Sequence, residues 1–342
     1  MRTTRVWRRA LGVEHTVIES VDLEPDGRGG EVLVARVRPK AGATLLKVWP
    51  SLSGLCHQSG AAAVAESGPH GRAPRLPDRG RPSTPAARAQ RAEGAMFALG
   101  GASTSALSTG LRWRSTGVPA WRVHLGVPLC GARSPEGGSD AIVELARRDT
   151  MMAYLDPVVR QAADEFPATL AELRWRLAVD GGPIGVVGGS LGGAVALRIL
   201  VRRRVAVAAA ALVNPAIRAR SVVRLVEGNL GHPYPWSDES RAAADRLDFV
   251  VRATEVAART PQPALLVVSG EQDFPELRTD AADLVGVLRE TYADPDRVRL
   301  TAVPDLAHGL AEQPGLEPAP QLPAAKAVDT AITEWFVDHL TS

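Results

Sequence analysis

The feature that most constrains this chain is Gly188-Gly189-Ser190-Leu191-Gly192. It lies between an apolar run, Ile184-Gly185-Val186-Val187, and a run of small apolar residues, Gly193-Ala194-Val195-Ala196-Leu197. A strand pattern that passes into a helix pattern across G-x-S-x-G demands a sharp turn. The glycines two residues before and after the serine, Gly188 and Gly192, let strand and helix approach without a Cβ clash. The serine then sits at a strained position with its hydroxyl exposed. An ordinary serine in a glycine-rich turn is the plain alternative, and the flanking strand and helix patterns argue against it.

From about residue 93 the chain alternates apolar strands with helices. Ala95-Met96-Phe97-Ala98-Leu99 is stopped by Gly100-Gly101, and Ala120-Trp121-Arg122-Val123-His124-Leu125 forms a second strand pattern. Residues 151–178 read as helical, interrupted by Pro157 and Pro167. Strands are expected at 184–188, 205–213, 264–269 and 298–303, with helices at 191–201, 281–290 and 325–340. Residues 216–262 carry no strand pattern and read as a helical insertion. Continuous apolar strands separated by helices imply an α/β fold: a doubly wound, mostly parallel sheet covered on both faces.

The first 92 residues differ. Within 1–40, Glu31-Val32-Leu33-Val34-Ala35-Arg36-Val37-Arg38 is strand-like and ends at Pro39. Residues 41–92 scatter Pro69, Pro74, Pro77, Pro82 and Pro85 among Gly, Ala, Ser and Arg, a composition expected to form a disordered linker. The core strands therefore start late, and the first strands of the sheet are expected to be missing.

Composition narrows the functional classes. Forty basic and 38 acidic residues leave a formal charge of +2, so strong unfocused attraction to nucleic acid or anionic membrane is not expected. The two cysteines, Cys56 and Cys130, exclude a disulfide scaffold and a four-cysteine zinc site. No apolar run approaches the ~20 residues of a membrane span, and the charged start has no signal-peptide core. A cytoplasmic location is expected.

A serine hydroxyl is a weak nucleophile unless a base takes its proton and an acid orients the base. After a strand–turn–helix serine the partners follow in the order acid, then histidine. Chain order removes His15, His57, His70 and His124. His232 falls in the strandless insertion and His339 in the closing helix, which leaves His308, just past the last strand. The loop Gly270-Glu271-Gln272-Asp273 follows the strand at 264–269 and offers Asp273 as the acid, with Glu271 and Asp280 as fallbacks. The alternative acid position, after the preceding strand, holds Asn214. An oxyanion needs preset N–H donors. Leu191 follows the serine and supplies one; Gly101, or next to it Ala102, supplies the other.

Over residues 93–342 the chain resembles the α/β-hydrolase superfamily, closest in texture to bacterial esterases and prolyl-oligopeptidase-like hydrolases. The resemblance rests on Ser190, Gly270-Glu271-Gln272-Asp273 and Ala307-His308-Gly309, in that order. It implies a serine hydrolase that forms an acyl-enzyme on a small-molecule ester or peptide-like substrate, with no metal or organic cofactor. The histidine-glycine pair usual after the first core strand reads Leu99-Gly100-Gly101 here. The insertion at 216–262 falls where the family carries a lid, which points to Tyr234 and Trp236 as pocket residues.

Residues 1–40 resemble the start of a zinc-ribbon insertion-sequence transposase, as in a chimeric reading frame. The cysteine pairs of such proteins are absent, Cys56 standing alone. Two further readings follow: a DNA-binding, transposase-related protein, and a hydrolase fold that has lost its function along with its first strands.

Overall fold

The computed structural model describes residues 118, 120–129, 133, 135–136, 138–177, 182–310 and 322–340. It also describes the backbone of five strands before residue 100. Of these, β1 (Thr16–Pro25), β2 (Glu31–Pro39) and β3 (Lys47–Pro50) form an antiparallel sheet in that order. The other two, β4 (Ala62–Glu66) and β5 (Ala95–Leu99), join a second sheet.

That second sheet has seven strands. Its remaining members are β6 (Trp121–Gly126), β7 (Ile184–Gly189), β8 (Ala209–Val213), β9 (Ala264–Gly270) and β10 (Val298–Val303). The order is β10-β9-β8-β7-β5-β6-β4, parallel throughout except for β4, which runs antiparallel along β6 at the edge. Two segments of the stretch expected to be linker are therefore strands. Pairing draws on backbone groups alone, so a segment such as Ala62-Ala63-Val64-Ala65-Glu66 can add to an edge without bulky side chains. The rest of 41–92, with Cys56, lies outside the described residues, as do residues 1–15 and Cys130.

Eight helices are described: α1 (Gly138–Arg148), α2 (Asp156–Leu177), α3 (Leu191–Arg202), α4 (Ala219–Leu230), α5 (Asp238–Arg246), α6 (Ala253–Ala257), α7 (Pro275–Thr291) and α8 (Ala324–Leu340). A π-helical turn, Thr150–Leu155, joins α1 to α2. The helical reading of 216–262 corresponds to α4, α5 and α6, whereas α1 is an addition to the elements expected from the sequence. No described helix is long and apolar enough to cross a membrane.

Period-two alternation places the core on both faces. Val186, Leu212, Leu265 and Val267 join Phe166, Leu197 and Leu284 on one side. Val187, Ala211, Leu266 and Val268 meet Val328, Ile332, Trp335 and Phe336 of α8 on the other. Helix α3 is buried from Leu191 through Val201, the pattern of a helix enclosed on every side. From β5 the chain steps outward to β6 and then crosses back to β7 on the opposite flank. That reversal opens a crevice at the carboxyl ends of the strands, the place where open α/β sheets bind ligands.

Candidate active site

Strand β7 ends at Gly189, and helix α3 begins at Leu191, leaving Ser190 to turn the chain alone. Its φ of 49° and ψ of −120° are unfavourable for a side-chain-bearing residue, by about 1–3 kcal/mol. Three backbone hydrogen bonds hold it there. Its N–H donates to Val213 O at 3.0 Å, and its carbonyl accepts from Gly193 N–H and Ala216 N–H, each at 2.9 Å. A Cβ added at Gly188 would lie 2.2 Å from the carbonyl oxygen of Gly192, so the glycine two residues before the serine is obligatory.

The acid and base arrive from the ends of β9 and β10, the second and third strands from β7 along the sheet. His308 Nε2 lies 2.9 Å from Ser190 Oγ, and its Nδ1 lies 2.8 Å from Asp273 Oδ1. Asp273 is 5% exposed, and its Oδ1 also accepts the Phe274 N–H at 2.8 Å. A carboxylate can only accept, so Nδ1 carries the proton and Nε2 is left to receive the serine hydroxyl.

The fallback acids are elsewhere. Glu271 is exposed, and Asp280 is tied to Arg218 at 2.7 Å on α7. His232 is exposed beside Pro233, and His339 stacks edge-on to Trp335 at 4.2 Å, its basicity lowered by burial. His15, His57 and His70 lie outside the described residues, as does the side chain of His124. Gly101 and Ala102 also lie outside them. The Leu191 N–H opens α3, where the first turn has no intrahelical partners and the helix dipole favours negative charge.

A cavity of about 110 Å³ adjoins Ser190 and His308. Tyr154, Leu155, Leu191, Ala216, Val222, Leu225, Phe274 and Leu277 are the other described residues of its wall, and none of them is acidic, lysine or arginine. Tyr234 and Trp236 do not line it. Their rings meet edge-to-face at 4.8 Å, and the Tyr234 hydroxyl donates to Asp149 Oδ1 at 2.5 Å. The same carboxylate caps the π-helical turn through Met151 and Met152 N–H, so the tyrosine braces that turn. Burial, reinforced by Asp149, pushes its phenol up to about 12.

Leu191 is expected from the serine turn, whereas the other wall residues converge from three segments that share no local signal. Phe274 alone carried a local cue, standing next to Asp273, with its ring 5.4 Å from that of His308.

A strand reversal at β5, a strained serine after β7 and two loops at the ends of β9 and β10 together define one architecture. The chain has the α/β-hydrolase fold. No protein-family model and no curated protein sequence matches it. Solved structures share the α/β-hydrolase fold at low identity. A proposed dipeptidyl aminopeptidase IV from Bacteroides ovatus superposes with a TM-score of 0.54 at 12% identity, over 94% of this chain and 43% of that one. Dipeptidyl peptidase 4 from Porphyromonas gingivalis gives 0.51 at 15% identity, over 94% and 43%. TT1662 from Thermus thermophilus gives 0.51 at 16% identity, over 81% and 94%. The chain thus spans less than half the length of the two peptidases, and at these identities the likeness speaks for the fold.

Proposed function

We propose that the chain is a serine hydrolase that cleaves a carboxylic ester bearing a small apolar acyl group. The observation that carries this reading is His308, which reaches Ser190 Oγ through one ring nitrogen and Asp273 through the other. Thioesters and amides would pass through the same acyl chemistry, and among the described residues the cavity wall has no acidic, lysine or arginine side chain to bind an ionic acyl group.

In the proposed reaction Ser190 Oγ attacks the carbonyl carbon while His308 Nε2 takes the hydroxyl proton. The carbonyl π pair moves onto oxygen, and the resulting oxyanion meets the Leu191 N–H, with Gly101 as the expected second donor. Asp273 accepts the Nδ1–H, fixes the tautomer and stabilises the imidazolium. Collapse breaks the ester C–O bond, and the imidazolium gives its proton to the departing alcohol. Water then attacks the acyl-enzyme with His308 again as base, releasing the acid and restoring Ser190.

Treatment with a serine-directed fluorophosphonate, followed by peptide mapping, tests the assignment. Label is expected on Ser190 and is lost in His308→Ala and Ser190→Ala. A folded protein that takes no label, or takes it elsewhere, overturns the reading. A series of p-nitrophenyl esters then measures acyl length, with short chains expected to be preferred.

A further inference from the structure

We infer that Asn214 is a positioning residue that locks the Asp273 loop to the His308 loop, an inference that rests on the triad reading above. Asn214 follows β8 with a φ of 43° and is 2% exposed. Its Oδ1 accepts the Gly270 N–H at 2.7 Å, at the root of the acid loop. Its Nδ2 donates to Ala307 O at 2.8 Å and to His308 O at 3.3 Å, in the base loop. The partners fix the orientation of the amide, with an N–H on one side and two carbonyls on the other. Both polar atoms of the side chain are thus engaged, the oxygen as acceptor and the nitrogen as donor.

The neighbours of Asn214 complete the arrangement. Val213 O and Ala216 N–H hold the backbone of Ser190, at 3.0 Å and 2.9 Å. Residues 213–216 therefore touch the nucleophile turn, the acid loop and the base loop at once. The chemistry also explains why this strand end does not supply the acid: a carboxylate here would face two carbonyl oxygens. An amide satisfies all three partners, whereas an apolar residue would leave the buried Gly270 N–H and Ala307 O unpaired.

The test uses the full chain and three variants, Asn214→Ala, Asn214→Ser and Asn214→Asp. Three quantities are measured: the Ser190 phosphonylation rate, kcat and KM on the best ester, and the downfield proton resonance of His308 Nδ1–H, identified by its loss in His308→Gln. Asn214→Ala is expected to slow phosphonylation and kcat by about 10- to 100-fold, with KM little changed. The Nδ1–H resonance should broaden or shift. Asn214→Asp keeps the volume but reverses two donors, so it should fall at least as far; a space-filling role predicts near-normal behaviour instead. Should the alanine variant not fold, the serine and aspartate variants are read in the same way. A folded variant with the wild-type rate and resonance overturns the inference. If wild-type protein takes no label on Ser190, the hydrolase reading fails, and the resonance alone still decides the role of Asn214.

Discussion

Gly270 and Leu306 are in backbone contact: a Cβ added at Gly270 would lie 2.2 Å from the Leu306 carbonyl oxygen. The same carbonyl accepts the Gln272 N–H at 3.0 Å, and Glu271 N–H reaches Val303 O at 3.1 Å. The loops bearing Asp273 and His308 are thus stitched along one seam, and a shift in either moves the other. Gly270→Ala forces the seam open. It should cost about 1–3 kcal/mol of stability and slow Ser190 phosphonylation at least tenfold, roughly the penalty of a misplaced base. Urea unfolding and probe kinetics on the same sample check both effects, and a wild-type labelling rate would contradict the argument.

Asp273→Asn keeps the shape of the site but removes the acceptor that fixes the histidine tautomer. In the proposed mechanism kcat should fall by about 10⁴-fold with the fold intact. Glu271→Gln, on an exposed side chain of the same loop, should leave turnover near wild type. Parallel kinetics on the two variants assign the acid. A large loss from Glu271→Gln would reassign it.

The cavity wall sets the expected acyl length. Leu225 of α4 lines the cavity that adjoins Ser190, and Leu225→Ala is expected to enlarge it. Each further methylene then accommodated should contribute roughly 0.8 kcal/mol, about fourfold in kcat/KM. The optimum across a p-nitrophenyl ester series should move to longer chains. An unchanged optimum would place the acyl group elsewhere and leave this cavity to the alcohol.

How much of this was legible in the sequence depends on the range of the forces involved. Ser190 was readable because a strand-to-helix turn writes its glycines into adjacent positions, as the Gly188–Gly192 contact shows. Asp273 and His308 followed from chain order, since each lies just past a strand with a clear apolar pattern. The cavity was not readable. Tyr154, Val222 and Leu277 come from a π-helical turn and two helices far apart in sequence, and nothing local marks them. Tyr234 misled because an aromatic side chain in an insertion suggests a pocket. Its hydroxyl is instead committed to Asp149. In the sequence Asn214 reads only as a strand end that lacks a carboxylate, because its three partners lie on loops at least 56 residues away.

Arg218 gives a prediction about stability and pH. Its guanidinium donates to Asp280 and Asp283, each at 2.7 Å, pinning the start of α4 to α7. The Asp280 side chain is nearly enclosed and that of Arg218 is 25% exposed. Burial holds the Asp280 carboxyl above the ordinary carboxylate range, and Arg218 is the main influence opposing it. Arg218→Gln leaves that carboxylate buried without its cation, at a cost of about 2–3 kcal/mol near neutral pH, somewhat less than for a fully enclosed pair. Without Arg218 the native carboxyl rises further above its unfolded value, so the folded state binds more protons than the unfolded chain over a wider window. Stability then falls as pH rises through that window. The deficit of the variant should be smallest near pH ~4, where unfolded aspartates also protonate, and should grow toward neutrality. Urea titrations of both proteins across that range test it. A deficit that stays constant with pH would show that Arg218 stabilises the α4–α7 contact through packing, independently of the charge on Asp280.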